Sequence, residues 1–240
     1  MFLKIAGFNF DIKNQYYYIT KRLGNYCNTD FNKKVDYSFS NSKEDIEKEY
    51  AISEEKLSLA HAEISKTLRT ISEWLPNRDA FVLHSATFDV DGVGVAFAAR
   101  SGTGKSTHMF LWQKLLGDRM TVVNGDKPIV RFFDDEPDCP YAYGTPWNGK
   151  EKLGCNMRTP LKHICFIERA KENSVEKVEA KDAINRILNQ VYMPKNPVAL
   201  AKTIELINRL INCCNFWQIN CNMEPEAAEV AYNAIFGKNQ

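Results

Sequence analysis

The sequence has almost no net charge and no long apolar run, and each absence excludes a class of protein. Lys and Arg number 31 against 30 Asp and Glu, which leaves a formal charge of +1. A dedicated nucleic-acid-binding protein normally carries a basic surplus, so we expect no nucleic-acid partner. The longest apolar stretch, at 92–99, is far shorter than the roughly 20 residues that span a bilayer. We therefore expect no membrane association either.

Paired cysteine motifs and a leader sequence are also lacking. The seven cysteines include no Cys-x-x-Cys motif, and the first residues show no basic start followed by an apolar segment. We therefore expect reduced thiols in a cytoplasmic protein. Cys213, Cys214 and Cys221 are close in sequence, but their spacing fits no zinc pattern. Since a free cysteine usually behaves as a small buried hydrophobe, we interpret these three as packing residues.

The composition that is present is that of a globular chain with one sizeable domain, or a core with a small appendage. Of its 240 residues, 44% are hydrophobic and 25% are charged. β-Forming residues between 2 and 19 predict a small set of strands, and the charged run at 43–48 indicates a solvated face or loop. An apolar stripe predicts a helix that starts after Ser53 as N-cap and ends at Pro76. The residues of this stripe are Leu57, His61, Ile64, Leu68, Ile71 and Leu75. On this stripe, His61 is interpreted as a hydrogen-bonded core residue.

After residue 76, predicted strands alternate with predicted helices, which is typical of an α/β fold. Strands are predicted at 80–84, 93–99, 121–124, 163–168 and 216–220, with a hairpin that joins 127–133 to 141–143. Helices are predicted to start after the glycine-rich segment at 101–107 and at 181–192, 197–212 and 225–236.

The glycine-rich segment Ala99-Arg-Ser-Gly-Thr-Gly-Lys-Ser resembles a phosphate-binding loop of the form G-x-x-x-x-G-K-[ST], with alanine in the place of the first glycine. Glycines allow backbone N–H groups to turn inward around phosphate oxygens, and the following helix presents further N–H groups to the anion. The lysine is expected on the β- and γ-phosphates, and the serine hydroxyl on magnesium. The predicted nucleotide-binding residues are Ser101, Gly102, Thr103, Gly104, Lys105, Ser106 and Thr107.

A wider resemblance is carried by Leu83-His-Ser-Ala and by Asp91-Gly-Val-Gly-Val-Ala-Phe-Ala-Ala-Arg-Ser-Gly-Thr-Gly-Lys-Ser-Thr. These segments resemble the core of ATP-dependent phosphoenolpyruvate carboxykinase and of the bacterial HPr serine kinase/phosphorylase. The resemblance implies a P-loop α/β core of mixed sheet with flanking helices, at 77–240. Residues 1–76 would then form a small N-terminal β-rich segment plus a helix. A weaker likeness to small HPr-kinase-like proteins lies in Gly144-Thr-Pro-Trp-Asn-Gly-Lys and Phe166-Ile-Glu.

Both families carry a histidine on the strand before the loop and an aspartate pair on the strand after it. Here His84 precedes Lys105 by 21 positions, and Asp126 follows it by 21, while Gly125 replaces the first aspartate of the pair. The resemblance implies that Asp126 accepts the proton of the attacking hydroxyl or helps Ser106 hold a metal. It implies that His84 binds a metal or partners the aspartate. An ordinary turn aspartate and a strand-end histidine are the alternatives.

Several further side chains are candidates of a weaker kind. We consider Glu151 as a second carboxylate for magnesium, and we expect Trp147 to pack rather than to stack on a base. Arg100 lies inside the loop, where it either touches phosphate or faces solvent. Four cations that follow are candidates to supply further charge near the transferring phosphoryl group, but each one is interpreted as a surface residue: Lys127, Lys150, Lys152 and Arg158.

The predicted function is therefore that of an ATP-dependent kinase that uses Mg²⁺ and transfers the γ-phosphoryl group to a hydroxyl, with a serine of a protein or peptide as acceptor. The alternative from another class is a nucleotide-binding regulatory or scaffold module without catalysis. Carboxykinase activity is disfavoured, because about 75 residues precede the His84 strand and the resembled enzymes carry a large N-terminal domain there. The sequence does not decide whether the phosphoryl donor is ATP, GTP or pyrophosphate. It also leaves open whether the reverse phosphorolysis occurs and whether the protein is a homo-oligomer.

Overall fold

The computed structural model describes residues 1–28, 30, 32–53 and 57–237. Its strands are β1 (Phe2–Ile5), β2 (Phe8–Lys13), β3 (Tyr37–Ser40), β4 (Ala80–Val82), β5 (Ala86–Val90), β6 (Val93–Ala98), β7 (Met120–Asn124), β8 (Ile129–Arg131), β9 (Tyr141–Tyr143), β10 (Arg158–Arg169), β11 (Ser174–Val178) and β12 (Asn215–Cys221). Its α-helices are α1 (Tyr17–Leu23), α2 (Lys43–Ile52), α3 (Leu59–Trp74), α4 (Lys105–Leu116), α5 (Ala180–Leu188), α6 (Pro197–Cys213) and α7 (Glu226–Phe236).

The described residues form two sheets, and the larger one is mixed, as the resemblance implies. Its order is β4-β8-β9-β10-β6-β5-β7, and β12 pairs with β10 while β11 pairs with β12. The long strand β10 connects the two halves, because its first residues pair with β9 and its later residues lie between β6 and β12. β6, β10 and β12 run parallel, and β5 is antiparallel to both β6 and β7. The carboxyl ends of β6, β7, β10 and β12 therefore meet at one edge.

Burial explains why these central strands are apolar on both faces. α4 and α7 cover one face, where Trp112 packs in a cluster with Phe88 and Phe97. α5 and α6 cover the other face through a second cluster that includes Phe166 and Leu206. In parallel strands that are covered on both faces, near-continuous apolar runs are expected. The ends of those strands remain free to carry polar groups.

The second sheet holds β1, β2 and β3 in that order, with β1 and β2 antiparallel and β2 and β3 parallel. Its apolar face and α3 form one cluster that includes Phe10 and Ile71 and also Val82, Ile129 and Trp147. The first 76 residues thus share a core with the larger sheet. The predicted boundary at residue 76 stays a prediction.

Two predictions for the N-terminal region are wrong. The tyrosines before Ile19 do not form a strand, because Tyr17–Leu23 is helix α1. The carboxylate of Glu63 on α3 accepts hydrogen bonds from the N–H groups of Gln15 and Tyr16, at 2.7 and 2.9 Å. This distant side chain satisfies N–H groups at the start of the helix and favours it over the β propensity of tyrosine.

The predicted long helix starts later than expected. Ser53 follows α2, and Ser58 is the N-cap of α3, where its hydroxyl accepts from the His61 N–H. Leu57 is 61% exposed and lies outside the apolar stripe, and residues 54–56 of the predicted helix lie outside the described residues. The charged run at 43–48 lies on α2 and is largely exposed, as a solvated face. His61 is hydrogen-bonded as predicted, to Ser58 and Tyr18, but it is only partly buried and does not belong to the core.

From β4 onward the sequence predicts most elements, with two strands missed. In the segment at 80–84, the first three residues form the short strand β4, and a link then leads into β5. β5 is the first of the two strands that the sequence does not predict. β11 is the second missed strand. In the described part of the chain, no helix combines the length and apolarity that crossing a membrane requires.

Candidate functional site

The glycine-rich loop joins β6 to α4, so the strand, loop and helix that the motif requires are all present. Gly102 has φ +77° and Gly104 has φ +123°. These are backbone conformations that side chains with a Cβ rarely adopt, which explains why the loop carries glycine at both positions. α4 begins directly at Lys105, and its first N–H groups therefore lie beside the loop.

Lys105 is the cation at the centre of the site. Its side chain is almost buried, and Nζ donates a hydrogen bond of 2.8 Å to the Ala99 carbonyl at the other end of the loop. Nζ also lies 3.3 Å from Nε2 of His84. Burial lowers the pKa of the Lys105 ammonium, and the negative charge of Asp126 partly offsets this effect. An anion that entered the loop would add to that offset and favour the charged lysine.

Asp126 lies at the carboxyl end of β7 with a cation or imidazole on each of its oxygens. Oδ1 is 3.1 Å from His84 Nε2, and Oδ2 accepts from Lys127 Nζ at 3.0 Å. Burial alone would raise the pKa of Asp126, but the hydrogen bond from His84 and the charge of Lys127 outweigh it and lower the pKa to about 2. The carboxylate is therefore ionised at neutral pH. Lys127 is a site residue, in contrast to its reading as a surface cation.

The turn that carries Asp126 is held by two buried polar residues that sequence reasoning missed. Oδ1 of Asn124 accepts from the N–H groups of Asp126 and Lys127, at 2.9 and 2.7 Å. Its Nδ2 donates to the carbonyl and the hydroxyl of Thr145, both at 3.0 Å. The Thr145 hydroxyl in turn donates to the Lys127 carbonyl at 2.7 Å. An asparagine that precedes Gly-Asp is a turn signal, but no motif pointed to Thr145.

His84 is positioned by the link between β4 and β5. Its N–H donates to the Gln190 carbonyl at 2.7 Å, and the next residue, Ser85, donates to the Asp126 carbonyl at 3.0 Å. The Gln190 amide nitrogen, in the orientation that satisfies its neighbours, lies 3.2 Å from the carbonyls of both His84 and Ala99. The histidine, the start of the loop and the aspartate turn are therefore connected through backbone groups.

One cavity of about 410 Å³ brings most of the predicted site residues together. Thr103 does not line it and instead faces two neighbouring cavities. The cavity walls include the predicted residues His84, Ser101, Gly102, Gly104, Lys105, Ser106, Thr107 and Asp126. Lys150 and Glu151 line the same cavity from the loop that follows β9.

The remaining candidates lie elsewhere. Arg100 is exposed and lines a neighbouring cavity. Trp147 packs, as expected, and its indole nitrogen donates to the Ile64 carbonyl. Lys152 and Arg158 do not line the cavity described above, and Arg158 lies over the rings of Phe133 and Tyr141.

Two glycines let the loop at 148–153 lie against the turn that carries Asp126. A Cβ on Gly125 would lie 2.8 Å from the carbonyl oxygen of Asn148, so no larger residue fits there without a shift. Gly149 has φ +80°, and a Cβ on it would lie 3.2 Å from Asp126 Cβ and 3.5 Å from Glu151 Oε2. Gly149 thus separates the two acidic residues. The backbone of the loop crowds the position at which a side chain of residue 125 would begin.

Arg169 at the end of β10 is a further residue that the motif did not predict. Its Nε donates to the Thr103 carbonyl at 3.0 Å, and its Nη2 donates to the Gly102 carbonyl at 2.5 Å. These bonds hold the outer part of the loop against the neighbouring parallel strand. Arg169 also lines the cavity, so its charge lies beside the position of a bound anion.

The oxygen groups of the cavity fit a magnesium ion that is shared with a phosphate. Within the described residues, no cluster of three or more His, Cys, Asp or Glu side chains could hold a metal alone. Mg²⁺ commonly binds through one or two carboxylates together with substrate phosphates and water. Ser106, Asp126 and Glu151 supply a hydroxyl and two carboxylates around one cavity, which is a suitable donor set.

Comparison with known proteins adds little to this description. No family model and no curated protein matches the chain. Among the solved structures that match is the Hpr(Ser) kinase/phosphatase from Coxiella burnetii, which is 11% identical, with 54% of this chain and 90% of that chain covered. The TM-score is 0.29, which is too low to carry an argument. The geometry itself defines the class, an α/β protein with a glycine-rich loop, a lysine and a carboxylate–imidazole pair at one sheet edge.

Proposed function

We propose that the protein binds ATP at the glycine-rich loop and transfers the γ-phosphoryl group to a hydroxyl, with a serine of a protein or peptide as acceptor. The observation that carries the proposal is the placement of Lys105, His84 and Asp126 around one cavity. Phosphoryl transfer depends mainly on positioning and on neutralising charge, and this cavity offers both a cationic loop and an ordered carboxylate.

The loop and its neighbours would hold the phosphates. The N–H groups at the start of α4 and Lys105 favour an anion within the loop. A bound phosphate would compete with the Ala99 carbonyl for the Lys105 ammonium, because both are acceptors for the same three protons. Arg169 keeps the loop in place through hydrogen bonds to two of its carbonyl groups.

Asp126 and His84 would act on the acceptor hydroxyl. The hydroxyl oxygen forms a bond to the γ-phosphorus while the bond from that phosphorus to the β–γ bridging oxygen breaks, and ADP leaves. The hydroxyl proton passes to the Asp126 carboxylate, and His84 and Lys127 hold that carboxylate in place. A magnesium ion held by Ser106 and Glu151 would neutralise charge on the phosphate oxygens. In the alternative role of Asp126, its carboxylate would join these two residues in holding the metal and would not accept the proton.

One observation favours the alternative, a nucleotide-binding module that does not transfer phosphate. Both oxygens of Asp126 are already paired, and its pKa is lowered to about 2. A carboxylate with so low a pKa is a weak proton acceptor. Phosphoryl transfer can still proceed with a weak base, because the acceptor hydroxyl needs mainly orientation and loses its proton late in the reaction. Binding without turnover would select the alternative.

The test is transfer of radiolabelled phosphate from ATP to serine-containing peptides and to proteins encoded beside this chain. We expect Lys105→Ala to remove both binding and transfer, and Asp126→Asn to keep binding and remove transfer. Lys114→Ala and Asp118→Asn change exposed residues on or next to α4 and serve as matched controls. Full transfer by Asp126→Asn would disprove the assigned role of that residue.

A further inference from the structure

A second cavity, of about 440 Å³, lies directly beside the cavity of about 410 Å³ that contains Lys105 and Asp126. Gly104, Thr107 and Arg169 line both cavities, so a ligand held at the loop can extend from one into the other. The second cavity lies between α4 and the carboxyl ends of β10 and β12. Ligand sites of α/β sheets commonly occur at this edge.

The walls of this second cavity are mainly apolar. Ile167 and Ala170 contribute from the end of β10, and Cys221 and Met223 from the end of β12. The Met223 side chain is 76% exposed although it borders an apolar cavity. An exposed, flexible thioether beside such a cavity is well suited to pack against the face of a flat ring.

His108, on the second turn of α4, is the polar side chain with an unmet hydrogen-bonding requirement in this wall. It is 2% exposed, and its Nε2 lies 3.3 Å from the indole nitrogen of Trp112. An indole N–H only donates, so Nε2 must be the acceptor and the single ring proton must lie on Nδ1. Burial also lowers the pKa of His108 to about 4, in agreement with a neutral ring.

Among the described residues, the Nδ1–H of His108 has no hydrogen-bond partner, and it is shielded from water. Buried donors are almost always paired, and an unpaired one is destabilising unless a ligand or water completes it. His108 lines the apolar cavity, so an acceptor bound there lies next to this imidazole.

We propose that this cavity binds the purine base of the nucleotide, with a ring nitrogen of the base accepting a hydrogen bond from His108 Nδ1–H. The inference rests on the proposed binding of a triphosphate at the loop. It adds the base, which is the part of the nucleotide that the loop does not recognise. Adenine and guanine share ring nitrogens that accept hydrogen bonds, and their flat faces suit apolar walls. His108 is thus a base-binding residue.

Calorimetry with two ligands separates this proposal from the proposed function. ATP carries the base and the phosphates, whereas inorganic tripolyphosphate carries the phosphates alone. We expect the wild type to bind both with Mg²⁺ and to bind ATP at least tenfold more tightly. Loss of tripolyphosphate binding alone would count against the phosphate loop and not against the base site. Equal affinity for the two ligands would overturn the base site and leave the loop intact, and binding of neither would overturn both proposals.

Two substitutions test the role of His108 itself. His108→Gln keeps an acceptor for Trp112 and removes the donor at the Nδ1 position, while His108→Asn places an amide N–H near that position. Loss of one hydrogen bond should weaken ATP binding about tenfold in His108→Gln and much less in His108→Asn. Tripolyphosphate binding should be unchanged in both variants, which also shows that they are folded.

A spectroscopic measurement needs no substitution. In the wild type, the NMR signal of the His108 Nδ1 proton should move on addition of ATP and stay in place on addition of tripolyphosphate. ATP affinity that is the same in His108→Gln and wild type, or an Nδ1 signal that responds equally to both ligands, would overturn the proposal.

Discussion

Removal of the Asn124 side chain should destabilise the protein and displace Asp126. Asn124 is completely buried, and its amide makes four hydrogen bonds to the turn and to Thr145. Asn124→Ala leaves the Asp126 N–H without a partner, which costs about 1–3 kcal/mol, and loses the two bonds from Nδ2, worth ~1 kcal/mol each. The Lys127 N–H keeps a bond to the Trp147 carbonyl. We therefore expect the free energy of unfolding to fall by about 3–5 kcal/mol.

Urea unfolding followed by circular dichroism measures this loss, with Thr121→Ala as the control. Thr121 is an exposed residue of the same strand, and its substitution should change the free energy of unfolding by less than about 0.5 kcal/mol. Because Asn124 sets the position of Asp126, phosphoryl transfer should fall while ATP affinity stays close to that of the wild type. A destabilisation no larger than that of the control, with transfer unchanged, would refute the assignment of Asn124 as the residue that positions Asp126.

The other predictions concern a crowded glycine and a buried histidine. Gly125→Ala should lower the free energy of unfolding by about 1–3 kcal/mol, because its Cβ would lie 2.8 Å from the Asn148 carbonyl, whereas Gly24→Ala, with nothing within 4 Å of its Cβ, should have little effect in the same urea assay. Burial and the charge of Lys162 lower the pKa of His163 to about 4. Below pH 6.5 the unfolded chain therefore binds a proton that the folded chain does not bind. The free energy of unfolding should consequently fall by up to ~3 kcal/mol as the pH drops to 4. His163→Asn retains an acceptor for Trp217 and should reduce this pH dependence, as measured by urea titrations at pH 7 and 5. A pH dependence equal to that of the wild type would contradict the role assigned to His163.

The part of the site that the sequence predicts is the part that a local pattern encodes. The loop and the start of α4 follow from the spacing of Gly102, Gly104 and Lys105, because φ values and helix N–H groups are local properties. His84 and Asp126 were placed near the loop by resemblance alone. The structure brings them to the same cavity, and their chemical roles stay predictions.

The part that sequence reasoning missed depends on contacts between distant residues. Glu63 holds the start of α1 from 47 and 48 positions away, and Arg169 holds the loop from 66 and 67 positions away. Thr145 meets Asn124 only because β9 leads its following loop back to the end of β7. Propensity and periodicity do not carry this information, so they predict a strand where the structure has helix α1, and they do not identify Thr145 or Arg169 as positioning residues.

The central claim is that the cavity between the loop and Asp126 holds the phosphates of a nucleotide. Its most direct test is calorimetric titration of Mg²⁺·ATP into the wild type and into Lys105→Ala, with Lys114→Ala as the control. We predict one binding site in the wild type and in Lys114→Ala, and loss of that binding in Lys105→Ala. No binding to the wild type, or equal binding to Lys105→Ala, would contradict the account.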